Sequence, residues 1–180
     1  IVPAATISRE LALPSSESNA MATVQTYLFE LRRILDGGSG NGFRDSMLRT
    51  EQVGYRLLVD EDQIDVCRFD RLVADADRLL TEDRHLRRRG CPEQVPSLPA
   101  QAASLLHEAV RLWRGKPFAG IRVGPVLEAE AVLLQARWER ATELRMRTEL
   151  LLGRHREIVA ELRGLVAEHA MNETFHGQLM

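Results

Sequence analysis

Ala22-Thr-Val-Gln-Thr-Tyr-Leu-Phe-Glu-Leu-Arg-Arg-Ile-Leu35 and, a loop later, Leu48-Arg-Thr-Glu-Gln-Val-Gly-Tyr-Arg-Leu57 are the two stretches on which the reading turns. In the first, Val24, Leu28, Leu31 and Leu35 recur at i, i+4, i+7 and i+11, the spacing of one helix face. This predicts a helix over about 20–35 with a buried stripe, started by Ser18 or Asn19 as a cap. Its other face carries Thr23, Gln25, Thr26, Glu30 and Arg33. In the second stretch, strand-like runs at 47–50 and 55–59 flank Glu51-Gln52-Val53-Gly54, a hairpin-like turn with glycine inside.

Upstream, Pro3, Ile7 and Leu11 suit a short helix over 3–12. The composition of 13–19 and the glycines of 36–41 predict loops. Helix, loop, helix and hairpin is the order of the second half of a winged helix. Acidic Asp60-Glu61-Asp62 marks its exit. From Asp65 onward the chain reads as helix after helix. The first spans 65–81, with Asp65 as cap and Phe69, Leu72, Val73, Ala76, Leu79 and Leu80 on its apolar face. A polar linker over 82–98, holding Arg87-Arg88-Arg89, Pro92 and Pro96, separates it from a helix over 99–113. After a Gly/Pro-rich connection at 116–125, a long helix at 127–152 ends at Gly153. Another follows at 154–169, and Asn172 caps a last one. Successive helix pairs joined by short turns predict stacked helical hairpins of the tetratricopeptide (TPR) kind, although the strict repeat consensus is absent. The expected fold is therefore mainly α. A partial winged helix-turn-helix (helices plus a β-hairpin wing) occupies residues 1–63, and an all-α TPR-like array occupies 64–180.

Composition bounds the function. Apolar residues make up 44% of the 180, enough for a core. No apolar run nears the ~18 residues that cross a bilayer, and no leader pattern opens the chain. Cys67 and Cys91 form neither a disulfide framework nor a metal knuckle, so the expected setting is reduced and cytoplasmic. All basic residues but Lys116 are arginine, which points to GC-rich coding. Net charge is −2 overall, and residues 1–63 carry 6 arginines against 9 acidic groups. A DNA-binding surface here must concentrate its positive charge locally. Nothing points to catalysis. The five histidines lack His-Glu-x-x-His spacing, Gly37-Gly-Ser-Gly-Asn-Gly42 lacks the Lys-Ser/Thr of a phosphate loop, and no Gly-x-Ser-x-Gly occurs. No enzyme, cofactor or metal is expected. Trp113, Trp138 and Cys67 read as core residues, and Arg87-Arg88-Arg89 as a solvated charge run.

The combination resembles the Streptomyces antibiotic regulatory protein (SARP) family. The stretch 22–35 is similar to the recognition helix of OmpR/PhoB-type DNA-binding domains, and 48–57 to their wing with its Gly-Tyr-Arg-Leu ending. Ala109-Val-Arg-Leu-Trp-Arg-Gly-Lys-Pro-Phe118 and Glu149-Leu-Leu-Leu-Gly-Arg-His-Arg-Glu-Ile-Val-Ala-Glu-Leu162, continuing to His176-Gly-Gln-Leu-Met180, look like the family's bacterial transcriptional activation domain. The resemblance implies further parts of both domains before Ile1 and after Met180. It also implies a nucleoid-associated activator with no membrane role. Such a protein binds double-stranded promoter DNA as a homodimer on direct repeats and recruits RNA polymerase holoenzyme through its sigma factor, at genes for secondary metabolites such as antibiotics. The helix at 20–35 then lies in the major groove. Gln25 reads adenine, Thr26 packs its methyl on thymine, and Glu30 accepts from cytosine. Thr23, Tyr27, Arg32 and Arg33 meet phosphates, while Arg49, Thr50, Gln52 and Arg56 of the wing reach the backbone or minor groove. Two alternatives stay open: a TPR-like interaction scaffold, and a ligand-sensing regulator without a direct activation role.

Overall fold

A computed structural model describes residues 1–12, 17–35, 47–90 and 98–180. Of the loops expected at 13–19 and 36–41, residues 13–16 and 36–41 lie outside the described residues, as do the glycine run 37–42, Cys91 and the Pro92 and Pro96 linker, while residues 17–19 are helix. Among the described residues the chain forms seven α-helices and one antiparallel hairpin, the mainly helical fold expected. It divides into two compact units. One comprises 1–63 together with 117–133. The other comprises 64–116 and 134–180.

In the first unit, α1 (Ala4–Glu10) starts directly after Pro3, whose carbonyl accepts from the N–H groups of Thr6 and Ile7. The second helix, α2 (Glu17–Leu35), starts earlier than expected, so Ser18 and Asn19 lie inside it rather than capping it. The carbonyl of Asn19 accepts from the Thr23 hydroxyl at 2.9 Å. The hairpin pairs β1 (Leu48–Glu51) with β2 (Gly54–Leu57), leaving Gln52-Val53 as its two-residue turn. Val24 and Leu28 of α2 meet Leu48 of β1, with Ile7 and Tyr55 packed around them. Val2 then adds a short third edge, exchanging backbone hydrogen bonds of 2.8 and 2.9 Å with Tyr55. Gly54 makes this approach possible, because a Cβ there would sit 2.1 Å from the Val2 carbonyl oxygen.

The predicted stripe of α2 is buried only in its first half. Val24 is 1% exposed and Leu28 6%, whereas Leu31 is 46% and Leu35 42% exposed. The small core of Ile7, Leu48 and Tyr55 packs on the first two turns of this stripe, and beyond it Leu31 and Leu35 are only about half covered.

The segment 117–133, expected in the helical domain, packs with this first unit. It contains the start of α5 (Pro125–Leu151). The Glu10 carboxylate caps that start: its oxygens accept from the N–H groups of Gly124 (2.8 Å), Val126 (3.0 Å) and Leu127 (3.0 Å). Helix N-termini have such orphan donors and a partial positive charge, so a carboxylate suits them. Partial removal from water pushes the Glu10 carboxyl up. The bonds from Leu127, Val126 and Gly124, with the neighbouring Arg9 charge, outweigh this and hold it below the usual carboxylate range. Gly124 is needed for the fit, since a Cβ there would lie 2.6 Å from the Glu10 carbonyl oxygen.

In the second unit, α3 (Asp65–Arg88) runs seven residues past its expected end, so residues 82–88 are helix rather than linker. That stretch is polar but holds no glycine or proline until Gly90. Asp83 pairs with Arg87 at i, i+4 (2.8 Å), which supports the added turns. Against α3 packs α4 (Leu98–Arg111), through Ala76 and Leu80 on one side and Ala102 and Leu106 on the other. The remainder of α5 packs with α6 (His155–Glu168) and α7 (Glu173–Leu179) around Met146, Ile158, Leu162, Leu165 and Phe175. Phe69, Trp113, Trp138, His169 and Phe175 follow one another at ring-centroid separations of 5.5–6.4 Å. Both tryptophans thus join the interior of the unit. Asn172 caps α7 as expected, accepting from Thr174 and Phe175.

Candidate nucleic-acid interface

Two elements of the first unit carry all the residues expected to meet DNA. With 100° between successive residues, the core-facing line of α2 passes through Ala20, Val24 and Leu28. The opposite line carries Ala22, Thr26, Phe29 and Arg33, all exposed. Gln25 and Glu30 flank it. The structure therefore brings Gln25, Thr26, Glu30 and Arg33 to one outward surface. Arg33 pairs with Glu30 at 2.8 Å, which places acceptor and donor side by side. The Thr26 hydroxyl donates to the Ala22 carbonyl at 3.0 Å, which fixes its rotamer. Thr23 and Tyr27 fall on the other flank, about 160° from Gln25 in the case of Tyr27.

Phe29 was not anticipated from the sequence. It is 54% exposed at the centre of the outward surface. The signal was present, since it stands three residues after Thr26 and four before Arg33. An aromatic side chain in an apolar-rich helix is more readily assigned to a core.

Arg32 has a different place from the other arginines. Its Nε donates to the Leu48 carbonyl at 2.9 Å and its Nη2 to the Thr50 hydroxyl at 2.8 Å. These bonds fasten α2 to β1 and set the angle between helix and hairpin. Thr50, expected as a backbone contact, is the acceptor of this link.

On the hairpin, register decides the rest. Leu48 and Tyr55 face the small core, so Arg49 and Arg56, directly opposite one another, share the other face. Both are exposed. Like charges directly opposite in an antiparallel pair are unfavourable without a counter-charge. Gln52, with 68%-exposed Val53, forms the tip. The net negative count of this unit is compatible with such a surface. One acid, Glu10, is used up on the helix cap, and Asp60, Glu61 and Asp62 gather at the exit. Among the described residues there is no group of three or more His, Cys, Asp or Glu side chains that could hold a metal ion. No helix among them is long and apolar enough to cross a membrane.

A helix seated on a hairpin, followed in the chain by paired helices, defines a partial winged-helix fold with a helical domain after it. Residues 64–180 match the family model of the bacterial transcriptional activator domain, and the chain belongs to that family. Its relatives bear the names of regulatory proteins. It is 32% identical over 183 residues to the regulatory protein DnrI of Streptomyces peucetius, covering 100% of this chain and 62% of DnrI. It is 28% identical over 162 residues to the transcriptional regulator RedD of Streptomyces coelicolor, covering 90% of this chain and 42% of RedD. Among solved structures, Mycobacterium tuberculosis EmbR in complex with a low-affinity phosphopeptide matches with a TM-score of 0.77. The identity there is 27%, and the match covers 99% of this chain and 43% of that one. The chain thus spans less than two thirds of the length of these relatives.

Proposed function

We propose that this chain binds promoter DNA in a sequence-specific manner through α2 and the hairpin, and activates transcription by recruiting RNA polymerase. The observation that carries this reading is the pairing of an outward helix surface (Gln25, Thr26, Phe29, Glu30, Arg33) with the like-charged Arg49 and Arg56 on the hairpin. The helix lies in the major groove. Gln25 reads adenine, Glu30 accepts from cytosine, and Thr26 with Phe29 packs on thymine methyl groups. Arg33, Arg49 and Arg56 meet phosphates, and the DNA supplies the counter-charge that the two hairpin arginines lack among the described residues. Thr23 and Tyr27 on the flank reach the backbone, as does Gln52 at the tip. Arg32 and Thr50 hold the hairpin at its angle to the helix.

The regulator acts as a homodimer on direct repeats, close enough to the promoter for its helical part (residues 64–180) to meet the holoenzyme through its sigma factor. Recruitment of this kind needs a coupling of only ~1–3 kcal/mol to raise occupancy roughly 5–150-fold. The target genes belong to secondary-metabolite clusters, antibiotic biosynthesis among them, and the protein works at the nucleoid.

Selection of genomic DNA on the whole regulator, sequenced at two salt concentrations, tests the reading. Direct repeats near promoters should be enriched, with affinity falling steeply as salt rises, because phosphate contacts release counterions. Absence of enrichment at either salt would remove the DNA-binding assignment and leave the helical unit as an interaction scaffold.

A further inference from the structure

Between Pro125 and Ala136 one side of α5 is apolar without interruption. At 100° per residue, Pro125, Val126, Ala129, Val132, Leu133 and Ala136 fall within an arc of about 120°. All six are exposed, and Val126, Val132 and Leu133 are 43–70% exposed. The opposite side holds buried Leu134. Glu128 and Glu130 stand on the two edges of the arc, and Arg137 follows on the Glu130 edge. The face belongs to one continuous helix, so periodicity alone fixes which residues share it. Single exposed apolar side chains are ordinary, but a contiguous strip marks a surface that something covers.

The spacing names the kind of partner. Val126, Ala129, Leu133 and Ala136 recur at i, i+3, i+7 and i+10, the a and d positions of a heptad. Such a seam packs against another helix, and ~15 Å of it is presented here. Large and small side chains alternate along it. Laid antiparallel on itself, about a two-fold axis level with Ala131, the seam sets Val126 against Ala136 of the other copy and Ala129 against Leu133. Every layer then joins one large side chain to one alanine, so the helices close without voids or clashes. A parallel pairing would instead stack Leu133 on Leu133 and leave Ala129 facing Ala129. The reversal also puts Arg137 of one copy on the same edge as Glu130 of the other, about 7.5 Å along the axis, within the joint reach of two long side chains. Arg137 has donors to spare beyond its pair with Asp70 at 3.1 Å. The acidic edges disfavour DNA or an anionic membrane as the covering surface.

We propose that this face of α5 pairs with the same face of a second copy of the chain, as an antiparallel two-helix contact with two-fold symmetry. The assignment deepens the homodimer reading above, on which it rests, by naming a surface for it. No residue expected to meet DNA takes part. Three turns of helix make a small contact, in the class under about 1,200 Å² that associates weakly. The dimer is therefore expected to dissociate in the micromolar range.

The test is sedimentation velocity of the full chain without DNA, from about 1 to about 100 μM. A reversible dimer is expected. Leu133→Arg should weaken it at least about tenfold, with Met171→Arg, 94% exposed and outside the helices, within about twofold of the parent. Circular dichroism checks that each variant is folded. Direction is read by cross-linking in a chain that carries Cys67→Ser and Cys91→Ser. Ala129→Cys and Leu133→Cys, prepared separately and then mixed under mild oxidation, should cross-link more than either does alone. A monomer at every concentration, a dimer indifferent to Leu133→Arg, or cross-linking by one variant alone as readily as by the mixture would overturn the proposal. Promoter binding is scored separately by genomic selection. That reading falls only if the parent enriches no repeats, whatever the sedimentation result.

Discussion

Two helices, α2 and α4, place their apolar residues in opposite ways. In α4, Pro99, Ala102, Ala103, Leu106 and Ala109 are all buried within fourteen residues, and the small side chains let the helix lie close to α3. In α2, nineteen residues long, Ala20, Val24 and Leu28 are the buried residues among those described, while Met21, Tyr27, Phe29, Leu31, Ile34 and Leu35 are exposed. A helix that serves packing hides its apolar groups. A helix that leaves six large ones exposed offers a surface on which a partner can dock. The difference separates residues that hold the chain together from residues left on its surface, and it predicts that the two can be changed independently, residue by residue.

The largest effect is expected in the helical unit. Phe175 is fully buried, and Phe175→Ala should lower stability by about 3–5 kcal/mol in urea denaturation. Loss below about 1 kcal/mol would mean that its cluster is not a true core. Leu28→Ala removes a member of a much smaller cluster, and about 2 kcal/mol is expected, the low end for leucine truncation. A cost equal to that of Phe175→Ala would erase the contrast between the two units. Phe29→Ala should leave stability within about 0.5 kcal/mol while weakening operator binding by ~1–3 kcal/mol at one base position. Equal loss on every sequence would assign Phe29 to general contact instead of readout.

The smallest effect concerns Glu10. Its folded carboxyl titrates below the ordinary range, so its contribution is fully present above that range. The contribution is lost as pH falls through the lowered value. Glu10→Gln removes it at neutral pH. Melting temperatures of the variant should therefore change less than those of the parent across the acid limb. Parallel curves would show that the carboxylate is held no better in the folded chain than in the unfolded one.

Much of this was legible in the residues. Periodicity placed α2, α5 and α6 within a few positions, and the Gly-Tyr-Arg-Leu ending marked β2. Asn172 was read as a cap because its short side chain can reach N–H groups two and three residues on. Polarity misled at 82–88, where charged residues continue a helix that needs a breaker to stop. The exposure of Leu31 and Leu35 could not be read from α2 itself, since a stripe records what a helix can bury and not what its neighbours cover. The tie from Arg32 to Leu48 and Thr50 was equally hidden. An arginine reads the same in sequence whether it meets phosphate or a carbonyl of its own chain. Glu10 was missed for the plainest reason: its partners lie 114 to 117 positions away.

That separation has a consequence for how the chain is made. The ribosome delivers Glu10 long before Gly124 and Leu127 exist. At about 5–20 residues per second, the carboxylate waits on the order of ten seconds for its three donors. The first unit, although residues 1–63 form most of it, is completed only after about half of the second has been translated. A fragment ending at residue 63 would keep α1, α2 and the hairpin but never receive that last clasp.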